Sequence, residues 1–352
     1  MMKMSKSLWA GTIFLILSVS LQVMARTVPG FGQWYSETIY VVLVNAVGRV
    51  MNLVPFSVSE IGIYLLIVCI MIMLISAIRN RLWKKPLKRI VLMAAVLFFL
   101  YCTNCGVNYY RTSFAESAGF EVDTYSVNDL KSTCMWLTEE VNKCSEEVHR
   151  NENGVMYLSV DETKAAVHAM EKLGSFYTEL SGYYPRPKGL LNHWILSVQE
   201  LSGIYSPFSI EANYNTGMTD YNIPFTACHE LSHLRGFMQE EEANFIAFLA
   251  CLASEKPDFQ YSGYLLAWIH CTNLLYKTDY DAWEELRMML SKKVDADLKA
   301  NSEFWNKYDG TVAEVADKIN DTYLKANGQS DGVKSYGRMA DLVVVYFCKN
   351  VQ

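Results

Sequence analysis

Three stretches of the chain run without a charged side chain for about the length a bilayer demands. They are residues 7–25 (SLWAGTIFLILSVSLQVMA), 61–78 (IGIYLLIVCIMIMLISAI) and 90–110 (IVLMAAVLFFLYCTNCGVNYY). The last turns polar and aromatic, as spans do at an interface. A fourth apolar stretch, 38–59, carries Arg49 in its middle and Pro55 near its end, and it leaves almost no loop before 61. It reads as an interfacial or re-entrant segment and not as a span. Beyond 112 the pattern changes to apolar positions three and four apart, which predicts helices over 127–150, 161–181 (with an exit at Gly182) and 190–202. Two further helices are expected over 224–235 and 240–253, and charged amphipathic ones over about 280–307, 311–327 and 333–349. Residues 206–225 (SPFSIEANYNTGMTDYNIPF) break it with turn formers and a short alternation, Phe208 to Tyr214, which predicts a strand and a loop. Residues 260–276 are uncharged, but their Tyr, Gln, His and Ser content suits a buried helix better than a further span. The predicted fold is therefore mainly α. A membrane anchor (1–111) with three transmembrane helices precedes a helical domain (112–352) with a small β-sheet.

Charge sharpens this division. Residues 1–106 hold ten Lys/Arg against two acids, whereas the remainder holds 21 basic and 35 acidic residues. Arg79, Arg81, Lys84, Lys85, Lys88 and Arg89 all fall between the second and third apolar stretches, and short basic loops stay on the cytoplasmic side. The N-terminus has a second reading, as a signal peptide with Lys3 and Lys6, an apolar run at 8–19 and a cleavage site at Val23-Met24-Ala25. Both readings put residue 26 outside, the basic loop inside and the domain after 112 outside the cytoplasmic membrane. The lipid bilayer is the first expected partner. An acidic domain argues against nucleic acid, whose phosphates need clustered cations. At 51% hydrophobic and 19% charged, the chain has ample material for a core, which excludes disorder as its main state. Of the nine cysteines, Cys69 lies within a span and Cys102 and Cys105 at the end of one; the other six form no CxxC pair, and Cys134 and Cys144 lie too far apart on one predicted helix to bond directly. They read as small packing side chains.

Residues 225–236 read FTACHELSHLRG, which contains H-E-x-x-H as His229, Glu230 and His233. On a helix, positions i and i+4 share a face about 6 Å apart along the axis, so two imidazoles there can converge on one zinc ion. Glu230, one residue on, reaches the zinc-activated water and acts as general base. A third ligand must follow. Glu240, Glu241 and Glu242 all stand within reach if the chain turns at Gly236, since a continuous helix would carry Glu240 about 10.5 Å along the axis from His233, too far to share a metal. An acidic first turn of a helix also has an electrostatic reason of its own, which suits two of the three.

HExxH followed by E-x-x-A-N in a second helix resembles the gluzincin metallopeptidases. That resemblance implies Glu240 as third ligand and Asn244 as the support of a ligand histidine, although the gap from His233 to Glu240 is shorter than in most gluzincins. A bend at Gly236 also brings the first glutamate of the new helix nearest the HExxH face. A wider likeness covers nearly the whole chain. The three spans, SPFSIEANYN, PFTACHELSHLRGF, EEEANFIAFLAC and YSGY resemble the bacterial membrane family called domain of unknown function 3810, which implies the topology and the metal site but no substrate.

The expectation is a multi-pass protein of the cytoplasmic membrane with an extracytoplasmic zincin-like domain. It would be a zinc metallopeptidase (metal: His229, His233, Glu240; catalytic: Glu230) acting on a peptide or protein, with the strand Phe208–Tyr214 pairing its edge with an extended substrate. The rivals are a non-catalytic sensor or scaffold braced by structural zinc, and a hydrolase of a non-peptide amide. Of the other histidines, His149 and His168 read as solvated and His193 as packing. His270 and Tyr261 are candidates for supporting the site or stabilising an oxyanion. Cys228 reads as packing.

Overall fold

The structure, a computed structural model, describes residues 5–81, 83–120, 124–332 and 337–352. Lys3 and the first residues of the helix predicted at 333–349 fall outside these. The chain is mainly helical and divides into two compact units, residues 1–112 with 206–211, and residues 113–205 with 212–352.

The first unit holds α1 (Lys6–Thr27), α2 (Val58–Asn80) and α3 (Lys84–Tyr101). Three helices in it, Lys6–Thr27, Val58–Asn80 and Lys85–Tyr110, are long and apolar enough to cross a membrane, so this is a membrane protein. α1 and α3 run side by side in the same direction. Gly11 meets Leu92 and Ala95, Phe14 packs on Phe99, Gly106 faces Gln22, and Arg26 lies over the Tyr110 ring. Between α1 and α2 the chain is helical from Phe31 to Met51, with π-helical turns at Ser36–Tyr40 and Val44–Gly48. It buries Tyr35, Ser36, Tyr40, Val44 and Gly48, one side of the coil. Its start lies beside the end of the third span: Gly32 abuts the Tyr110 carbonyl, Tyr35 donates to Thr103 O and Ser36 to Asn108 Oδ1. The start of α2 lies at that same end. Glu211 accepts from Val58 N (3.1 Å) and Ser59 N (2.8 Å), while Asn104 donates to Pro207 O. A carboxylate on two orphan amides of a helix N-terminus satisfies donors that the helix itself cannot.

In the second unit, α4 (Val127–Ser145) begins with a capping box from Ser126 and Asp129. α5 (Glu162–Gly174) is shorter than predicted; past Gly174 the chain folds into a 3₁₀ turn at Thr178–Leu180 that buries Leu180. The helix expected at 190–202 is a single turn, Trp194–Ser197, and Glu200 with φ 54° ends any continuation. β1 (Lys188–Gly189), β2 (Gly203–Ser206) and β3 (Glu211–Tyr214) form one sheet in the order β1-β3-β2. β1 and β3 are parallel, with Lys188 opposite Asn213 and Gly189 opposite Tyr214. The expected edge strand Phe208–Tyr214 is therefore corrected. Residues 208–210 form a turn, the strand proper (Glu211–Tyr214) is central and fully buried, and the role of edge passes to β2.

Helices α6 (Asn222–Leu234), α7 (Glu240–Ala253) and α8 (Pro257–Thr278) pack on one another, with α5 against α6 and α7, and α4 against α8. α8, the uncharged stretch, is packed inside this group and is not among the helices fit to cross a membrane. The predicted helix 280–307 is two, α9 (Tyr280–Met289) and α10 (Lys292–Trp305), because Ser291 turns out of α9 and caps α10. α11 (Thr311–Ala326) and α12 (Met339–Asn350) complete the chain.

Candidate metal centre

The HExxH segment lies on α6, and the start of that helix is held in an unusual way. Pro224 stands in the first turn, where no amide is needed. Ser262 of α8 then inserts its hydroxyl between the Tyr221 carbonyl and the Phe225 amide, donating to one and accepting from the other. The helix ends at Leu234, and Gly236 with φ 98° turns the chain in a conformation that side chains resist. α7 then begins at Glu240 and packs back on α6.

This turn separates the three glutamates, all of which are buried. Glu240 Oε2 lies 3.3 Å from His229 Nε2 and 3.7 Å from His233 Nε2. Glu241 accepts instead from Gln329 (2.7 Å) and Arg338 (2.6 Å), and Glu242 from the Ala115 amide (3.0 Å). His229, His233 and Glu240 bring one donor atom each within 4.8 Å of one another. Both imidazoles are fixed from behind: His229 Nδ1–H donates to Asn244 Oδ1 and His233 Nδ1–H to Phe237 O, each at 2.8 Å. Those bonds leave Nε2 of both rings with its lone pair toward Glu240.

The donor set fits zinc. Ligands of a tetrahedral ion with bonds of about 2.0–2.1 Å stand roughly 3.3–3.4 Å apart, close to the two histidine–glutamate separations. Among the described residues the cluster supplies three protein donors, which would leave a tetrahedral ion one open position. Without an ion, burial opposes the charge on Glu240, but His233 and His229 hold its carboxyl well below the usual range. Burial likewise opposes a charged His233, yet Glu240 pushes it up to about 9.

Glu230 lies behind this cluster. One oxygen accepts from the Tyr205 amide of β2, whereas Oε2 is buried with no partner. Burial pushes the carboxyl up to about 7, against the lowering effect of His229 and His233. β2 passes so close that a Cβ at Gly203 would fall 2.4 Å from Glu230 Oε1, so only glycine fits there. The sequence reading did not single out Gly203 or Tyr205; a backbone amide leaves no trace in residue type, and one glycine in a loop-like stretch is a weak signal. The carbonyl of Phe237 was invisible for the same reason.

The remaining candidates sort plainly. Burial, with a smaller contribution from neighbouring His229, pushes His270 on α8 down to about 4, leaving it neutral. Tyr261 is committed elsewhere: it donates to Asp297, which also pairs with Arg150 at 2.9 Å. Cys228 is fully buried and directed at Cys251 of α7.

The family described as "Protein of unknown function (DUF3810)" matches residues 35–344. No curated protein and no solved structure matches the chain.

Proposed function

The chain belongs to the DUF3810 family, and from that premise we propose that it is a membrane-anchored, zinc-dependent metallopeptidase of gluzincin type. The observation that carries the reading is the meeting of His229, His233 and Glu240 at zinc-ligand spacing beside Glu230, a buried carboxylate with an unpartnered oxygen. His229, His233 and Glu240 would hold the ion. When bound, zinc acidifies water and polarises a carbonyl. Glu230 Oε2 takes the proton of the attacking water and passes it to the leaving amine, while Tyr205 N–H keeps the other oxygen in place. A carboxyl poised near 7 before an ion arrives suits two-way proton traffic. Asn244 and Phe237 O fix the tautomer of the ligand histidines. β2, the sheet edge that touches Glu230, is the place where an extended peptide would add as a strand.

The anchor's own geometry supports the topology in this proposal. The helical stretch Phe31–Met51 begins at the end of the spans where α2 also begins. Residues 52–57 can reach at most about 25 Å, less than the roughly 30 Å of hydrocarbon that a crossing helix would have to recover. On this reading the stretch is interfacial, the spans number three, and the domain after 112 lies outside the cytoplasmic membrane with the basic loop inside.

The test is Glu230→Gln. It should bind as much zinc as the parent while hydrolysis falls by about 10²–10⁴. Equal turnover in the two proteins would remove the enzyme reading from this site, and a closed structural zinc would then be the better account.

A further inference from the structure

The turn between α2 and α3 concentrates cations that no carboxylate among the described residues neutralises. Arg79, Arg81, Lys85 and Arg89 are exposed and Lys88 is half-buried. Among the described residues none of the five side chains takes part in an ion pair or a hydrogen bond. Elsewhere Lys131, Lys164, Lys172, Arg287, Lys293, Lys325 and Arg338 each hold a carboxylate. The hairpin has no such option, since no Asp or Glu occurs between Glu60 and Glu116. Like charges this close repel unless an anion enters among them. Three apolar side chains, Ile78, Trp83 and Leu87, are exposed beside them at 64%, 52% and 61%.

We propose that this hairpin is a binding site for anionic phospholipid headgroups, with the five cations gathering phosphates while Ile78, Trp83 and Leu87 enter the acyl boundary. A free phosphate would satisfy the charge alone. The headgroup layer satisfies both features, and the turn joins two membrane-spanning helices, which hold it at that depth. Cations near an anionic surface each strengthen attachment by about fivefold, and salt weakens it within a Debye length.

The experiment uses the full chain, purified in mild detergent, stripped of lipid and offered equal phosphatidylglycerol and phosphatidylcholine. Retained lipid is counted by native mass spectrometry. The parent should retain phosphatidylglycerol in excess, and the excess should shrink as sodium chloride is raised. A Lys85→Gln/Lys88→Gln variant should lose about tenfold or more of that preference, and Lys85→Arg/Lys88→Arg should keep it. Equal retention of both lipids by the parent overturns the proposal without reference to any variant. So does an undiminished preference in the glutamine variant. If inorganic phosphate removes the preference where sodium chloride of equal ionic strength does not, the site is one for soluble phosphate and the lipid assignment fails.

Discussion

At the scale of single residues, three adjacent glutamates have three different jobs, and the structure separates them by partner. Glu240 faces the imidazoles, Glu241 meets Arg338 and Gln329, and Glu242 accepts from Ala115. Glu240→Ala should release zinc to a competing chelator. Glu241→Ala should keep it and lose stability instead, because the buried Gln329 amide loses its acceptor, by about 1–3 kcal/mol. Metal content and thermal unfolding, measured on the same two samples, check both outcomes. Asn244→Ala should keep the fold and weaken zinc binding by about 10- to 100-fold, because His229 loses the acceptor that fixes its tautomer. An unchanged zinc affinity would mean that Asn244 does not set the ring. His229, Glu230 and His233 were legible in the sequence because their spacing on a helix is itself the signal. Glu240 needed the turn at Gly236 as well. Tyr205 and Phe237 act through backbone atoms, which residue types do not report.

At the scale of elements, long amphipathic helices such as α4 and α11 were readable because burial of one face repeats every three to four residues. The failures came where tertiary contacts decide the backbone. Residues 190–202 have helical spacing, but Glu200 in the left-handed region and the entry into β2 leave one turn. The alternation at Phe208–Tyr214 announced a strand, yet not that two others would flank it. The cap on α2 was likewise beyond reach, since Glu211 stands more than 150 residues along the chain from the amides it receives. Glu211→Ala should destabilise the anchor by about 1–2 kcal/mol, the usual worth of a helix cap. Unfolding in detergent reads this directly, and an unchanged midpoint would show that solvent or lipid caps α2 equally well. The hydroxyl of Ser262, inserted at the first turn of the HExxH helix, predicts that Ser262→Ala costs roughly 1–2 kcal/mol by leaving Phe225 N–H without its partner.

For the whole molecule, the division into a basic apolar front and an acidic back was plain from charge alone, and the first compact unit is residues 1–112 with the short segment 206–211. That segment's place with the anchor could not be read in advance, because nothing in SPFSIE marks it as apart from the domain that surrounds it in sequence. Topology has its own check: a reporter active only in the cytoplasm, fused after Gln352, should stay silent, and a strong signal would reverse the assignment of sides. The central claim, a peptidase working through zinc at His229, His233 and Glu240, is tested most directly by profiling cleavage of a peptide library by the solubilised full chain. The comparison samples are the same protein after chelation, after zinc is restored, and as Glu230→Gln. The account predicts a set of cleavages that vanishes with chelation, returns with zinc and is absent from the zinc-loaded variant. Cleavages that persist in Glu230→Gln, or a zinc-loaded parent that cuts nothing in the library, would contradict it.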